Sequence, residues 1–209
     1  LLFVQADVAD KMLAMIEGAA AELHLGDPAD LETDVGPVID EAQHRKLTEH
    51  LAEMRRTQRV RFEGERPEGL SPNGHYVAPA IVELDRAEAM TKEIFGPVLH
   101  VVRWKAGDLA KVCDAVEATG YGLTLGVHSR IDETIRFVKE RLTVGNVYVN
   151  RNMIGAIVGS QPFGGSGLSG TGPKAGGPNY LSRFVREQVV STNTAAAGGN
   201  ASLIASGGE

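Results

Sequence analysis

The sequence predicts an α/β domain with a mainly parallel sheet, on three observations. Strand-like and helix-like segments alternate through the first 150 residues. Hydrophobic residues make up 43% and charged residues 23% of the chain, the mix of a polypeptide that folds around a core. At 209 residues the chain is also long enough. A domain of that size buries roughly 70% of the surface its unfolded form exposes.

The elements follow in order. Residues 1–5 (LLFVQ) read as a strand, and Val8, Met12, Met15, Ile16, Ala19 and Leu23 then recur at helical spacing. Gly26-Asp27-Pro28 stops that helix. Asp40 is placed as the N-cap of a second helix running to about Arg56. Residues 60–62 form a short strand, 67–73 carry turn chemistry, and 76–82 are extended. Two helix-strand units follow, 108–119 into 123–128 and 131–142 into 146–150. From 154 to 178 periodicity gives way to glycine, and an apolar strand is expected at 184–190 before an Ala/Gly/Asn-rich tail, 191–209.

Charge and cysteine usage narrow the function. A net charge of −6 without a basic cluster argues against nucleic acid as a partner. No apolar run approaches the ~18 residues of a membrane span. The single cysteine, Cys113, cannot close an internal disulfide, which fits a reducing, cytoplasmic setting. The chain is strand-like from Leu1, with neither an initiator Met nor a signal peptide's charged region, so a segment of a longer chain is expected, with part of any active site elsewhere.

Four features could carry chemistry. Gly165-Ser166-Gly167-Leu168-Ser169-Gly170 matches G-x-G-x-x-G, but a dinucleotide fingerprint directly follows a strand and opens a helix. Here the preceding strand ends some fifteen residues early and Thr-Gly-Pro follows, so a shaped loop is the better reading. Cys113 lies on the apolar stripe of a predicted helix, where a buried structural thiol is expected. The six histidines show no metal-ligand spacing, and no metal is expected. Glu93-Ile94-Phe95-Gly96-Pro97 sets a carboxylate and an aromatic two apart at a Gly-Pro turn, suited to gripping sugar hydroxyls and covering a flat heterocycle. Spacing alone favours the other reading, a strand end with a solvated Glu and a core Phe.

Together these stretches resemble the aldehyde dehydrogenase superfamily. Residues 91–98 (TKEIFGPV) resemble its E-x-F-G-P motif, Gly26-Asp27-Pro28 with Asp34-Val35-Gly36-Pro37 its G-D-P and D-x-G-P stretch, and residues 161–165 (QPFGG) its P-F-G-G loop. Residues 155–165 (GAIVGSQPFGG) with 170–178 (GTGPKAGGP) are similar to the L-glutamate γ-semialdehyde (1-pyrroline-5-carboxylate) dehydrogenases. A further likeness is to the dehydrogenase module of the bifunctional bacterial flavoenzymes of the proline utilization A kind, whose C-terminal motif residues 193–203 resemble.

The resemblance implies an aldehyde dehydrogenase-like catalytic domain at 1–182, incomplete at its N-terminus, with an oligomerisation strand and tail at 183–209. It implies NAD-dependent oxidation of glutamate semialdehyde to glutamate, with no catalytic residue in this chain. The nucleophilic cysteine, the general base and the NAD-binding domain would lie upstream, so the chain alone would be inactive. Glu93 would bind the nicotinamide ribose and Phe95 would pack near the nicotinamide. Backbone N–H groups of Gly155 and Ala156 would hold the substrate carboxylate, with Arg151 as a rival anion partner, and Phe163 would wall the aliphatic part. A homo-oligomer is implied, and an upstream proline dehydrogenase domain carrying FAD. The alternatives are an aldehyde dehydrogenase of other substrate preference and a non-catalytic oligomerisation module.

Overall fold

The computed structural model describes residues 1–170, 172–193 and 205–206. The chain divides into two units, Leu1–Tyr121 with Arg130–Thr143, and Gly122–Ser129 with the chain from Val144 onward.

The first unit holds β1 (Leu2–Gln5), α1 (Ala6–Ala21), α2 (Glu41–Thr57), β2 (Arg59–Glu63), β3 (Ala80–Leu84), β4 (Val98–Trp104), α3 (Leu109–Ala118) and α4 (Asp132–Arg141). Its sheet has the order β1-β4-β3-β2, with β4 parallel to both neighbours and β2 antiparallel to β3. The sheet is therefore mixed, the predicted parallel arrangement holding except at the β2 edge. β4 is interior to this sheet, yet the sequence reading did not single it out.

Because side chains alternate across a strand, β3 and β4 feed two cores. Ala80, Val82, Leu84 and Val102 pack under Leu47, Leu51 and Met54 of α2. Ile81 and Val101, with Val4 of β1, pack under Ala9 and Leu13 of α1. The predicted α2 holds closely, and the Asp40 carboxylate accepts the N–H of Gln43 at 2.7 Å as its cap. The stripe predicted for α1 is corrected. Ala9, Leu13, Ile16 and Ala20 face the sheet, while Val8, Met12 and Met15 are exposed. Apolar residues line two sides of this helix, and small Ala side chains allow its close approach to the sheet.

Charged residues clasp the α1 side of the sheet. Glu83 accepts from Arg61 at 2.9 Å and from Arg103 at 2.5 Å, Arg61 also pairs with Glu17, and Arg103 reaches Asp10 at 2.7 Å. Burial works to raise the Glu83 pKa, but the hydrogen bonds from Arg103 and Arg61 outweigh it and hold the carboxyl below its ordinary value. On the α2 side, His100 of β4 is 2% exposed, and its Nε2 lies 2.8 Å from Nε2 of His50 on α2. Burial, then the neighbouring His50, pushes His100 down to about 4. Burial likewise lowers His50, which also faces Glu53 and Lys92. Cys113 sits buried in α3, its thiol pushed up by burial against the opposing pull of Arg141. This is the structural thiol the sequence reading expected.

β5 (Tyr121–Gly122) lies where the chain passes into the second unit, which holds β6 (Thr124–Val127), β7 (Asn146–Val149) and β8 (Ser166–Gly167). β6 and β7 run parallel, with Gly126 opposite Tyr148. Asn150 ends β7 in the left-handed region at φ 53°, and its side-chain amide exchanges hydrogen bonds with the Ser129 backbone at 2.8 and 2.9 Å. Gly145 lies flat against the 164–165 backbone. A Cβ at this position would collide with the Gly164 carbonyl oxygen and come within 2.7 Å of Gly165 Cα. The strand expected at 184–190 is not found. Tyr180–Phe184 is a 3₁₀ turn, and residues 185–190 join no ladder among the described residues. Apolar residues are present at 184, 185, 189 and 190, but a strand needs a partner's N–H and C=O groups. The motif at 193–203 lies outside the described residues apart from Asn193.

Two outcomes follow. Unfolded imidazoles bind protons below pH ~6.5 while His100 in the fold does so only near 4, so stability is complete above about 6.5 and falls as pH drops toward 4. Melting temperatures measured in half-unit pH steps should show this acid limb, and His100→Leu should flatten it. Gly145→Ala should cost about 1–3 kcal/mol, since backbone rather than a flexible side chain must give way. Urea denaturation measures this, and an unchanged midpoint would refute the close approach.

Candidate functional site

The predicted site residues fall in both units. In the first unit, Glu93 and Phe95 lie on the turn that enters β4, and both are exposed, Phe95 at 75%. The core-Phe alternative is thereby overturned. Ile94 instead turns inward and packs against the Leu47, Leu51 and Met54 cluster. The turn is held from behind by α2. The Gln43 side-chain amide donates to the Phe95 carbonyl, and a Cβ at Gly96 would lie 2.6 Å from the Leu47 methyl carbons. Gln43 is also the residue whose backbone N–H Asp40 caps, so one helical turn serves both bonds. The motif thus presents a carboxylate and an apolar ring to the outside on an anchored backbone.

In the second unit, the glycine-rich stretch is a set of short backbone-paired turns. Ile157 and Gln161 exchange N–H···O bonds at 2.8 Å each way, and Gly159 donates to Gly176 at 2.9 Å. Gly155 adopts φ 82°, a left-handed value that glycine takes without steric cost. Gly155 and Ala156 are exposed, and their N–H groups meet no acceptor among the described residues. Phe163 is gripped on both sides by Ala175, through N–H···O bonds of 3.0 and 2.7 Å, leaving its ring 57% exposed. Arg151 lies with its guanidinium carbon 4.9 Å over the Tyr148 ring, while its Nε donates to the Asn152 carbonyl at 3.1 Å.

The G-x-G-x-x-G stretch opens no helix. Ser169 and Gly170 close tight turns onto Ser166 and Gly167 at 3.1 Å each, and Gly165 allows close packing, since a Cβ there would lie 2.6 Å from the Gly122 carbonyl. It is a packing element, as its context in the sequence suggested. Among the described residues no cluster of three or more His, Cys, Asp or Glu could hold a metal, and no helix is long and apolar enough to cross a membrane.

Sequence reasoning missed a buried polar group behind the turns. Tyr148, 5% exposed, donates its hydroxyl to the Gly155 carbonyl at 3.1 Å. Asn146, two residues earlier on the same face of β7, donates to that hydroxyl at 3.1 Å and to the Pro162 carbonyl at 3.3 Å. Lys174 Nζ in turn donates to Asn146 Oδ1 and the Gly145 carbonyl. The i, i+2 pairing of Asn with Tyr in a short strand was the available signal.

Comparison with known proteins fits these features. Residues 1–190 match the model of the aldehyde dehydrogenase family. The bifunctional protein PutA of Klebsiella aerogenes is 50% identical over 188 residues, covering 88% of this chain but 14% of its own length. A crystal structure of a Bradyrhizobium japonicum proline utilization A (PutA) mutant is 59% identical and superposes with a TM-score of 0.86 over 93% of this chain and 20% of that one. A structure of 1-pyrroline-5-carboxylate dehydrogenase from Thermus with bound NAD is 37% identical, with a TM-score of 0.77 over 88% of this chain and 35% of that one. On the extent of the family match and the likeness of fold and sequence, the chain belongs to the aldehyde dehydrogenase family.

Proposed function

We propose that this chain is part of an NAD-dependent L-glutamate γ-semialdehyde dehydrogenase that oxidises the aldehyde to glutamate, within a longer polypeptide that also carries a flavin-dependent proline dehydrogenase. The observation that carries the reading is the exposed Gly155–Ala156 turn, whose N–H groups have no acceptor among the described residues. A semialdehyde derived from glutamate bears a carboxylate at the end away from the reacting carbonyl. Successive backbone N–H groups beside a left-handed glycine bind such an anion without a charged side chain. Phe163, fixed by Ala175 yet exposed, supplies an apolar wall for the methylenes between.

Glu93 and Phe95 fit the nicotinamide end of NAD. A solvated carboxylate accepts the two ribose hydroxyls, and an exposed ring on a braced turn covers an apolar face of the cofactor. NAD, when bound, accepts the hydride that leaves the substrate. The residues of this chain hold the two reactants, and held geometry is itself a large part of catalysis, an ångström of misplacement costing on the order of 100-fold. The nucleophilic thiol is proposed to lie upstream of Leu1. Cys113, buried with a raised pKa, is unsuited to that task. Catalytic-domain residues 1–182 are followed in this reading by an oligomerisation segment, 183–209. The exposed Leu181, Phe184, Val185, Val189 and Val190 suit a partner's sheet edge. The compartment is the cytoplasm.

In the full-length enzyme, Ala156→Pro removes one anchoring N–H. The KM for glutamate semialdehyde should rise about tenfold or more, the scale of a hydrogen bond to a charged group, with the KM for pentanal nearly constant. Unchanged semialdehyde kinetics would mean another specificity. Glu93→Ala should raise the KM for NAD about tenfold and leave the aldehyde KM in place. If steady-state kinetics show the reverse pattern, the cofactor assignment is wrong.

A further inference from the structure

Behind the anchor turn runs a chain of hydrogen bonds with one direction. Lys174 Nζ donates to Asn146 Oδ1, Asn146 Nδ2 donates to the Tyr148 hydroxyl, and the Tyr148 hydroxyl donates to the Gly155 carbonyl. The Gly155 carbonyl and the Ala156 N–H are opposite ends of a single planar trans peptide. Holding the oxygen toward Tyr148 therefore turns the N–H the opposite way, out to the exposed side of the turn. Each donation also polarises the next group, so the chain starts at a lysine and ends at an N–H that is made a stronger donor. Asn146 reaches the Pro162 carbonyl as well, which ties the segment bearing Phe163 to the same side chain.

We propose that Tyr148, Asn146 and Lys174 are positioning residues that aim and strengthen the Ala156 N–H toward the substrate carboxylate, and so set the preference for aldehydes that carry one. This rests on the anchor reading of Gly155 and Ala156, and it assigns that reading's selectivity to side chains that never touch the substrate. The glycine at 155 makes such an arrangement necessary. A left-handed glycine peptide rotates easily, and nothing in its own side chain restrains it.

The test uses the full-length enzyme with L-glutamate γ-semialdehyde and with pentanal, which has the same chain length and no carboxylate. Tyr148→Phe deletes one hydroxyl from a buried ring. The semialdehyde KM should rise about tenfold, while the pentanal KM and the NAD KM stay fixed. In combination with Ala156→Pro, which has already removed the N–H, Tyr148→Phe should add almost nothing to the semialdehyde KM. If Ala156→Pro raises the semialdehyde KM and Tyr148→Phe does not, the positioning role is overturned and the anchor stands. If neither variant moves it, the anchor reading itself fails and the positioning role with it. Equal shifts for both aldehydes, or full additivity in the double variant, would show general loosening and overturn the proposal. Should Tyr148→Phe not fold, Lys174→Gln carries the test. It keeps an N–H donor but removes the charge, and the ratio of semialdehyde to pentanal KM should rise in the same direction. An unchanged ratio overturns the proposal.

Discussion

Side chains leave a β-strand alternately on opposite faces, and both units of this chain are organised by that constraint. In β3 and β4 it sends Val82 and Val102 toward α2, and Ile81 and Val101 toward α1, so a few residues complete two separate cores. The sheet register then fixes where β4 begins, with Val98 opposite Ala80, and the turn bearing Glu93 and Phe95 is carried to that end of the strand. In β7 the same alternation places Asn146 and Tyr148 on one face, where they support the glycine-rich turns. A slip of one residue in either strand would exchange core for solvent and would also detach the turns from their supports.

The two units brace their exposed turns in different ways. The Phe95 turn rests on an apolar helix face, with one amide bond from Gln43 to its carbonyl and Gly96 giving Leu47 room. The glycine-rich turns rely on reciprocal backbone bonds and on buried and half-buried polar side chains. That difference follows from composition. Glycine contributes no side chain to a core, so a glycine-rich segment is ordered by directional bonds or not at all.

Much of this architecture was legible in the sequence. Asp40 as a cap and a helix running to about Arg56 were read correctly for α2, whose one clear apolar face carries Leu47, Leu51 and Met54. α1 was found as a helix but rotated. With Val8, Met12 and Met15 as apolar as the true core stripe, periodicity could not choose the face, and only the small size of Ala9 marked it. β4 passed unremarked because strands packed on both faces lose their alternation, and His100 and Arg103 interrupt the apolar residues of Val98–Trp104. The apolar residues at 184–190 had the pattern of a strand, yet a strand exists only where a ladder does. At the site, motif likeness pointed to Glu93, Phe95, Gly155, Ala156 and Phe163. Asn146 and Tyr148 share a strand face by their i, i+2 spacing, but Lys174 could be linked to them only in space, since 26 positions separate it from Tyr148.

The contact between Gly96 and Leu47 has a thermodynamic meaning as well as a steric one. A side chain at residue 96 would have to displace the Leu47 methyls, and Ile94 and the Gln43 amide already tie the turn to the α2 core. Order in the turn and order in the helix thus rest on shared contacts. Any molecule that grips the turn draws free energy into the folding of α2, and any loss of order in α2 is repaid as weaker grip, in equal measure. Affinity at the surface and cohesion in the interior draw, around this one glycine, on the same few contacts.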